Sequence, residues 1–140
     1  MKNIFLFSAI LISSFLQAQT FTPSDKESKV HFVIKNFGIN TGGDITGMKG
    51  KIKFNAKKPS ACSFDVTADI STIDTDNEKR DGHLKTIDFF DIEKYPGIRI
   101  ESIKIEPGSD LKHFIFKGKV TIKNVTKNIF QIIDIRIIKK

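Results

Sequence analysis

The stretch FIFKGKVTIK, residues 114–123, shows the clearest alternation of apolar and polar side chains in the chain. Every second residue from Phe114 to Ile122 is apolar or glycine, whereas Lys117 and Lys119 occupy intervening positions. Because successive side chains of a β-strand point to opposite faces, this pattern predicts a strand with one buried face and one solvated face. The lysines of residues 51, 53, 117, 119 and 123 are expected on the solvated exterior of the sheet.

Four earlier stretches alternate in the same way: residues 28–37, 48–54, 62–70 and 98–105. In the last of them the parity slips at Ser102, which predicts a β-bulge. A further strand is expected over residues 128–138. Glycine, proline and asparagine mark turns at 38–43, 58–60, 107–109 and 124–127. Strands joined by short turns predict an all-β fold with an antiparallel sheet, and closure into a β-barrel would protect its edges.

Residues 75–96 interrupt this alternation with a long polar connection. Asp76 or Asn77 can cap a short helix that continues to about Thr86, because both side chains accept hydrogen bonds from free amides at a helix start. Pro96 ends the connection and allows the next strand to begin. A connection of this length is usually functional or packs over another part of the fold.

Composition and charge limit the class of protein. The chain has 140 residues, of which 39% are hydrophobic and 28% charged, as in one ordinary domain. Its single cysteine, Cys62, excludes an intramolecular disulfide and a four-cysteine zinc site. The net charge is +7. If the protein is exported, as argued next, it seldom meets nucleic acid, so its cationic side chains would face anionic lipid headgroups, a phosphorylated ligand or simply solvent.

Export is expected from the first 18 residues. Lys2 precedes an apolar run over residues 4–16, and Ala18 is a small residue at a plausible cleavage position. The run is shorter than the ~20 residues that a membrane-spanning helix needs. The sequence therefore predicts a signal peptide over residues 1–18, cleaved near Ala18, and a periplasmic or secreted domain over residues 19–140.

Catalytic motifs are scarce. No Gly-x-Ser-x-Gly motif occurs, and His31, His83 and His113 are far apart in the sequence. Asp81 and His83 could supply two metal ligands, but the third would have to come from residue 88 or 91. The segment Arg80-Asp81-Gly82-His83 is more simply a salt-bridged turn that fixes the connection. We therefore expect no enzyme activity, no cofactor and no metal.

The phenylalanines leave two alternatives open. Most of them fall on the inward parity of the strands or in the long connection. In a small barrel they would only fill the interior, whereas about eight strands would leave room for one slender apolar ligand.

Several short motifs occur in order around the long connection: Ile73-Asp74-Thr75, Arg80-Asp81, His83-Leu84-Lys85, Asp88-Phe89-Phe90-Asp91 and Tyr95-Pro96-Gly97-Ile98. Together they resemble the signature region of the YceI-like family, and the resemblance extends over about residues 24–127. It implies an exported, lipocalin-like antiparallel β-barrel with an apolar tunnel for a polyisoprenoid chain, such as an isoprenoid quinone or prenyl pyrophosphate. It brings no catalytic residues.

Within this resemblance, Arg80, Asp81, His83 and Leu84 are expected to shape the connection beside the barrel. Strand parity then selects the tunnel wall, with Phe89 and Phe90 at one end: Phe32, Phe54, Phe64, Val66, Phe114 and Phe116. The expected partners are an isoprenoid lipid and, transiently, an anionic membrane surface, but no nucleic acid. The alternative is a fully packed secreted protein with an envelope or stress-related interaction role and no ligand.

The C-terminal segment departs from the family. Family members continue beyond the segment that matches Val125-Thr126-Lys127 with further closing strands, whereas residues 130–138 fit the family poorly and the sequence stops at Lys140. The resemblance therefore predicts a barrel that is incomplete at the C-terminus. Its exposed strand edge would favour a homodimer.

Overall fold

The computed structural model describes residues 19–24, 27–36, 38–110 and 112–134. The predicted signal peptide, residues 1–18, lies outside this part of the chain. Phe37 and residues 135–138, which belong to two predicted strands, also lie outside it. All structural statements below concern the described residues.

Within the described residues, eight strands and one α-helix follow one another. They are β1 (Gln19–Phe21), β2 (Val30–Asn36), β3 (Ile39–Ile45), β4 (Lys49–Phe54), β5 (Ser63–Asp69), α1 (Glu78–Lys85), β6 (Gly97–Pro107), β7 (His113–Ile122) and β8 (Val125–Asp134). The antiparallel, mainly β architecture and the short helix in the long connection are confirmed. Among the described residues, no helix is long and apolar enough to cross a membrane.

Six strands form one antiparallel sheet in the order β1-β4-β5-β6-β7-β8, and β2 and β3 form a separate hairpin. The hairpin joins the rest of the molecule through Asp44 and Asp74, whose backbone amides donate to each other's carbonyl groups at 2.8 and 3.0 Å. Because β1 and β8 lie at opposite edges, the described part of the sheet does not close. The fold prediction is therefore confirmed in part: the described strands form the expected antiparallel sheet, but this sheet does not close into a barrel, in keeping with the expectation of an incomplete barrel.

The strand β3 was not predicted, because Gly42 and Gly43 indicated a turn. In the structure only Gly38 adopts the left-handed conformation there, with φ of 83°. Gly43 lies within β3, where a Cβ atom would approach the backbone oxygen of Asp74 to 2.7 Å and the Phe32 ring to 2.8 Å. A glycine in a strand allows such a close approach. Gly43 therefore indicates a close contact between the hairpin and the Asp74 backbone, and not a turn.

Two local predictions are confirmed. The register between β6 and β7 shifts between Ser102 and Lys104, as expected for a β-bulge. At the start of α1 the cap is Asn77, whose side chain accepts from the amide of Arg80 at 2.9 Å.

The turn that was predicted at residues 124–127 lies one residue earlier, because β7 and β8 are joined by Lys123 and Asn124 alone, both at positive φ. Two-residue hairpin loops favour this backbone conformation.

The buried side chains form two clusters. The groove-side cluster contains seven buried residues: Ile45, Met48, Val66, Ala68, Ile70, Ile73 and Ile98. The phenylalanine cluster contains four: Phe54, Ile105, Phe114 and Phe116. Phe64 packs against both clusters and so links the two halves of the core.

One ion pair on the sheet surface predicts a response to acid. Glu106 accepts from Lys104 and Lys117, whose ammonium nitrogens lie 2.5 and 2.6 Å from its carboxylate oxygens. These contacts lower the pKa of Glu106 from its ordinary value of 4.5 to about 2. Because the folded-state pKa is depressed, the contribution of Glu106 is present above pH 4.5 and is lost as the pH falls towards about 2.

Replacing Glu106 by glutamine should therefore flatten the dependence of stability on pH in this range. Urea unfolding at a series of pH values measures the effect. Glu93→Gln serves as the control, because that exposed carboxyl lies outside the ion pair. An unchanged slope in Glu106→Gln would contradict the assignment.

Candidate functional site

A half-open groove of about 610 Å³ lies between the β2–β3 hairpin, the long connection and the inner face of the sheet. The hairpin supplies Val30, Phe32 and Ile34. These three residues share one parity along β2, so their side chains point to the same face. The hairpin thus forms one apolar wall of the groove.

The sheet supplies the opposite wall from the beginning of β6 and the end of β7. Ile98 and Ile100 lie on β6, and Val120 and Ile122 lie on β7. Ile100 and Val120 are direct cross-strand partners, so their side chains share one face. Groove and core are continuous here, because Ile98 also belongs to the groove-side cluster.

The connection contributes Leu84, Phe89 and Phe90 to the lining of the groove. The amide of Phe90 donates to the carbonyl of Leu84 at 3.0 Å, which folds the chain back after the helix. The His83 ring meets the Phe89 ring edge to face, with 4.8 Å between ring centres. Leu84 and Phe90 also pack against the groove-side cluster.

A buried hydrogen-bond network fixes the start of this connection. The Thr75 hydroxyl donates to the Asp81 carboxylate and accepts from Nε of Arg80 at 2.8 Å, and the Thr75 amide donates to Asp81 at 3.1 Å. The hydrogen bond from the Thr75 hydroxyl holds the pKa of Asp81 below its ordinary value. The expected salt-bridged turn is thus a three-residue network in which Thr75 separates the two charged groups.

Replacing Thr75 by valine should lower the free energy of unfolding by about 2 kcal/mol, because it leaves buried polar groups without a partner. It should also raise the pKa of Asp81, since the hydroxyl is the main cause of the depressed value. Urea unfolding and NMR titration of the carboxyl measure the two effects. Thr86→Val is the matched control, because the hydroxyl of Thr86 is exposed and donates only to the carbonyl of His83. Equal stability of the two variants would contradict this role of Thr75.

Asp88 and Lys123 are the charged residues that line the groove. Lys123 was expected on the solvated lysine face, in line with Lys117 and Lys119. The left-handed turn conformation breaks this parity, and Nζ of Lys123 donates to the carbonyl of Ile87 at 3.2 Å. The side chain therefore bridges from the sheet to the connection.

The predicted wall residues divide between two places. Phe32, Phe89 and Phe90 line the groove, together with the predicted connection residue Leu84. The others lie outside its lining: Phe54, Phe64, Val66, Phe114 and Phe116. The four phenylalanine rings among them pack against each other edge to face, with centre distances of 5.5 Å for Phe54–Phe114 and 5.8 Å for Phe64–Phe116.

The predicted wall consisted mainly of phenylalanines, five of its residues lie outside the groove, and it did not include the aliphatic residues of β6 and β7 that line the groove. Ile98, Ile100, Val120 and Ile122 carried the inward parity of their strands but were not chosen as ligand contacts. Parity could have identified them, whereas the size of a side chain does not indicate whether the neighbouring space is filled. Most of the groove lining consists of isoleucine, leucine and valine side chains, which occupy less volume than a phenylalanine ring.

The metal hypothesis gains no support from the geometry. Among the described residues, no three histidine, cysteine or carboxylate side chains are grouped so that they could hold a metal ion. Asp81 is buried and bound to Thr75, whereas His83 is exposed and lies 3.8 Å from Asp88. The two proposed metal ligands therefore lie in different environments, one buried and one exposed.

The chain is similar to several bacterial proteins. It is 32% identical over 108 residues to Protein YceI of Escherichia coli and 28% identical over 132 residues to Protein YceI of Salmonella agona. These matches cover 74% and 90% of this chain, and 55% and 68% of the relatives. The chain thus spans about half the length of several of the curated relatives it matches.

Solved structures share the fold. The Burkholderia cenocepacia protein BcnA matches with a TM-score of 0.75 at 23% identity, over 83% of this chain and 72% of that one. The Campylobacter jejuni YCEI protein matches with a TM-score of 0.61 at 31% identity, over 80% and 66%. Residues 21–135 match the model of the YceI-like domain. The sequence motifs, the fold and this match together place the chain in the YceI-like family.

Proposed function

We propose that the protein binds a polyisoprenoid chain in the apolar groove, for carriage or storage. The observation that carries this proposal is the lining of the groove. Three different parts of the chain, the hairpin, the connection and the sheet, each turn aliphatic or aromatic side chains towards one half-open space. Concave apolar sites with few polar groups are typical of ligand-binding sites. An isoprenoid quinone and a prenyl pyrophosphate both carry a suitable chain.

The energetics fit carriage. Burying one CH₂ group gains about 0.8 kcal/mol relative to water, so a chain of several isoprene units is strongly retained against water. A bilayer offers nearly the same gain, so exchange between membrane and groove is close to thermoneutral. Selectivity must then come from the length and width of the groove. Phe32 lines the groove from the hairpin, Phe90 from the connection and Val120 from the sheet.

Binding without catalysis is part of the proposal. The charged groups in the lining are Asp88, which lies 3.8 Å from His83, and Lys123, which donates to the carbonyl of Ile87. We place the protein in the periplasm or outside the cell, where the predicted signal peptide would deliver it.

Organic extraction of the protein purified from its own cell envelope, followed by mass spectrometry, tests this function. We expect an isoprenoid lipid in roughly equimolar amount. Protein that is folded by circular dichroism but yields no lipid, and that takes up no added prenyl alcohol, would contradict the proposal.

A second candidate function is suggested by the phenylalanine cluster. The phenylalanine cluster is buried and its rings contact one another, as they would in a secreted interaction protein that holds no ligand. The extraction separates the two candidates, since this one predicts an empty groove that stays empty when lipid is supplied.

A further inference from the structure

The groove and the phenylalanine cluster adjoin on the inner face of the sheet. Ile100 lines the groove and also packs against the phenylalanine cluster. Its cross-strand partner Val120 lines the groove as well, whereas Phe116, four residues earlier on β7, is buried outside the lining. The inward residue between these two positions of β7 is Gly118. The inner face of β7 therefore changes from groove to packed core at a glycine.

The ring of Phe116 occupies the space that a side chain at position 118 would take. A Cβ atom placed on Gly118 would come within 2.7 Å of Cζ of the Phe116 ring, and still closer to its Cε1. The ring therefore lies over Gly118, on the side of Phe116 that faces the groove. Phe64 meets this ring edge to face and packs against both clusters. The Phe116 ring thus lies between the groove and the rest of the phenylalanine cluster.

The charged groups of the lining lie at the other end of the groove. Lys123 follows Ile122 at the end of β7, and its Nζ donates to the carbonyl of Ile87, the residue before Asp88. Residues 116 and 122 are separated by about 20 Å along the strand. A lipid with one polar end is therefore best accommodated with that end near Lys123 and its apolar tail towards Phe116.

The volume of the groove limits how much of a prenyl chain it can cover. One water molecule takes about 30 Å³ of liquid volume, and a CH₂ group is of similar size. A groove of about 610 Å³ therefore holds roughly 20 carbon groups, or about four isoprene units. Because the groove is half open, part of this volume lies at its mouth, so four units is an upper limit.

We propose that the groove selects prenyl chains by length, and that the Phe116 ring over Gly118 is where the apolar tail stops. This inference rests on the proposed function and deepens it, since it limits the ligand to about four isoprene units. A bilayer covers a prenyl chain of any length, whereas the groove leaves the excess of a longer one in water. Exposing two further CH₂ groups lowers the ratio of groove-bound to membrane-bound lipid about tenfold. The protein therefore takes up short prenyl chains and leaves long ones in the membrane.

A series of prenyl alcohols with two to six isoprene units tests the limit. Each alcohol is equilibrated between the protein and phosphatidylcholine vesicles, the vesicles are removed by flotation, and mass spectrometry measures the alcohol in both fractions. We expect similar ratios of protein-bound to vesicle-bound alcohol for the short members. The ratio should fall at least tenfold between four and six units. A ratio that stays constant over the whole series would overturn the proposal.

Three variants test the role of Phe116. Truncation of a large buried side chain can leave a cavity of about 150 Å³, which is enough for roughly one isoprene unit. Phe116→Ala should therefore move the fall in the ratio by about one unit towards longer alcohols. Ile100→Phe adds a ring at the same end of the groove and should move the fall towards shorter alcohols. Phe114→Ala is the matched control, because Phe114 shares the strand, the parity and the burial of Phe116 but lies two residues farther from the groove.

Circular dichroism shows which variants are folded. Ile100→Phe keeps the test decisive if Phe116→Ala does not fold, because it adds apolar volume and retains every phenylalanine. A fall at the same length in Ile100→Phe and in the unaltered protein would refute the proposal, as would equal shifts in Phe116→Ala and Phe114→Ala. Uptake of all the alcohols without a length limit would refute this inference and leave the proposed function intact. Uptake of none of them would refute the proposed function itself.

Discussion

Replacing Val120 by tryptophan is expected to weaken capture of a prenyl chain about 100-fold. Val120 lies on β7 with its side chain in the groove, opposite Ile100 of β6. An indole at this position would occupy space that the chain needs. If about four CH₂ groups are displaced at ~0.8 kcal/mol each, the loss is about 3 kcal/mol, which corresponds to this change in affinity.

The same substitution one position earlier is the matched control. Lys119 is adjacent in β7 and exposed, and its parity is opposite to that of Val120. Lys119→Trp should therefore bind as the unaltered protein does. Titration with a prenyl alcohol, with separation of bound from free lipid by gel filtration, measures both affinities. Equal affinities of the two folded variants for the prenyl alcohol would show that the groove is not the binding site.

Replacing Phe116 by alanine should cost about 3–5 kcal/mol of the free energy of unfolding, the usual range for a buried phenylalanine. Phe116 is 5% exposed, belongs to the phenylalanine cluster and meets the Phe64 ring edge to face. Truncation would leave a cavity that the neighbouring strands cannot easily close. Because domains are stabilised by only about 5–15 kcal/mol, a large part of the stability would be lost.

Urea unfolding measures this loss, and Phe89→Ala provides the control. Phe89 is 48% exposed at the groove, so its truncation should change stability much less. The two variants should also separate binding from folding. Under conditions where Phe116→Ala remains folded it should still bind the prenyl alcohol, because Phe116 lies outside the groove lining. A stability change for Phe116→Ala no larger than that for Phe89→Ala would contradict the packing described here.

Much of the local structure could be predicted from the sequence. The alternation in residues 62–70 and 114–122 correctly indicated β5 and β7, and the slip at Ser102 indicated the bulge in β6. Asn77 was one of two candidates for the helix cap. These features depend on a few neighbouring residues, so local periodicity and capping chemistry are sufficient to find them.

The site was only partly predictable. Phe32, Phe89 and Phe90, which were predicted as wall residues, line the groove, and so does Leu84, which was expected only to shape the connection. Parity could not distinguish a ring that borders a cavity, such as Phe32, from one packed against another ring, such as Phe114. That distinction depends on which side chain arrives from a strand distant in sequence.

The amino-acid sequence by itself determined which face of each strand is apolar and where the long connection begins, because side-chain parity and caps are properties of consecutive residues. Only the tertiary structure decided that β2 and β3 pair as a hairpin separate from the six-stranded sheet, and that the apolar interior includes both a buried phenylalanine cluster and a groove. These outcomes depend on pairing and packing between distant segments, which local periodicity does not specify.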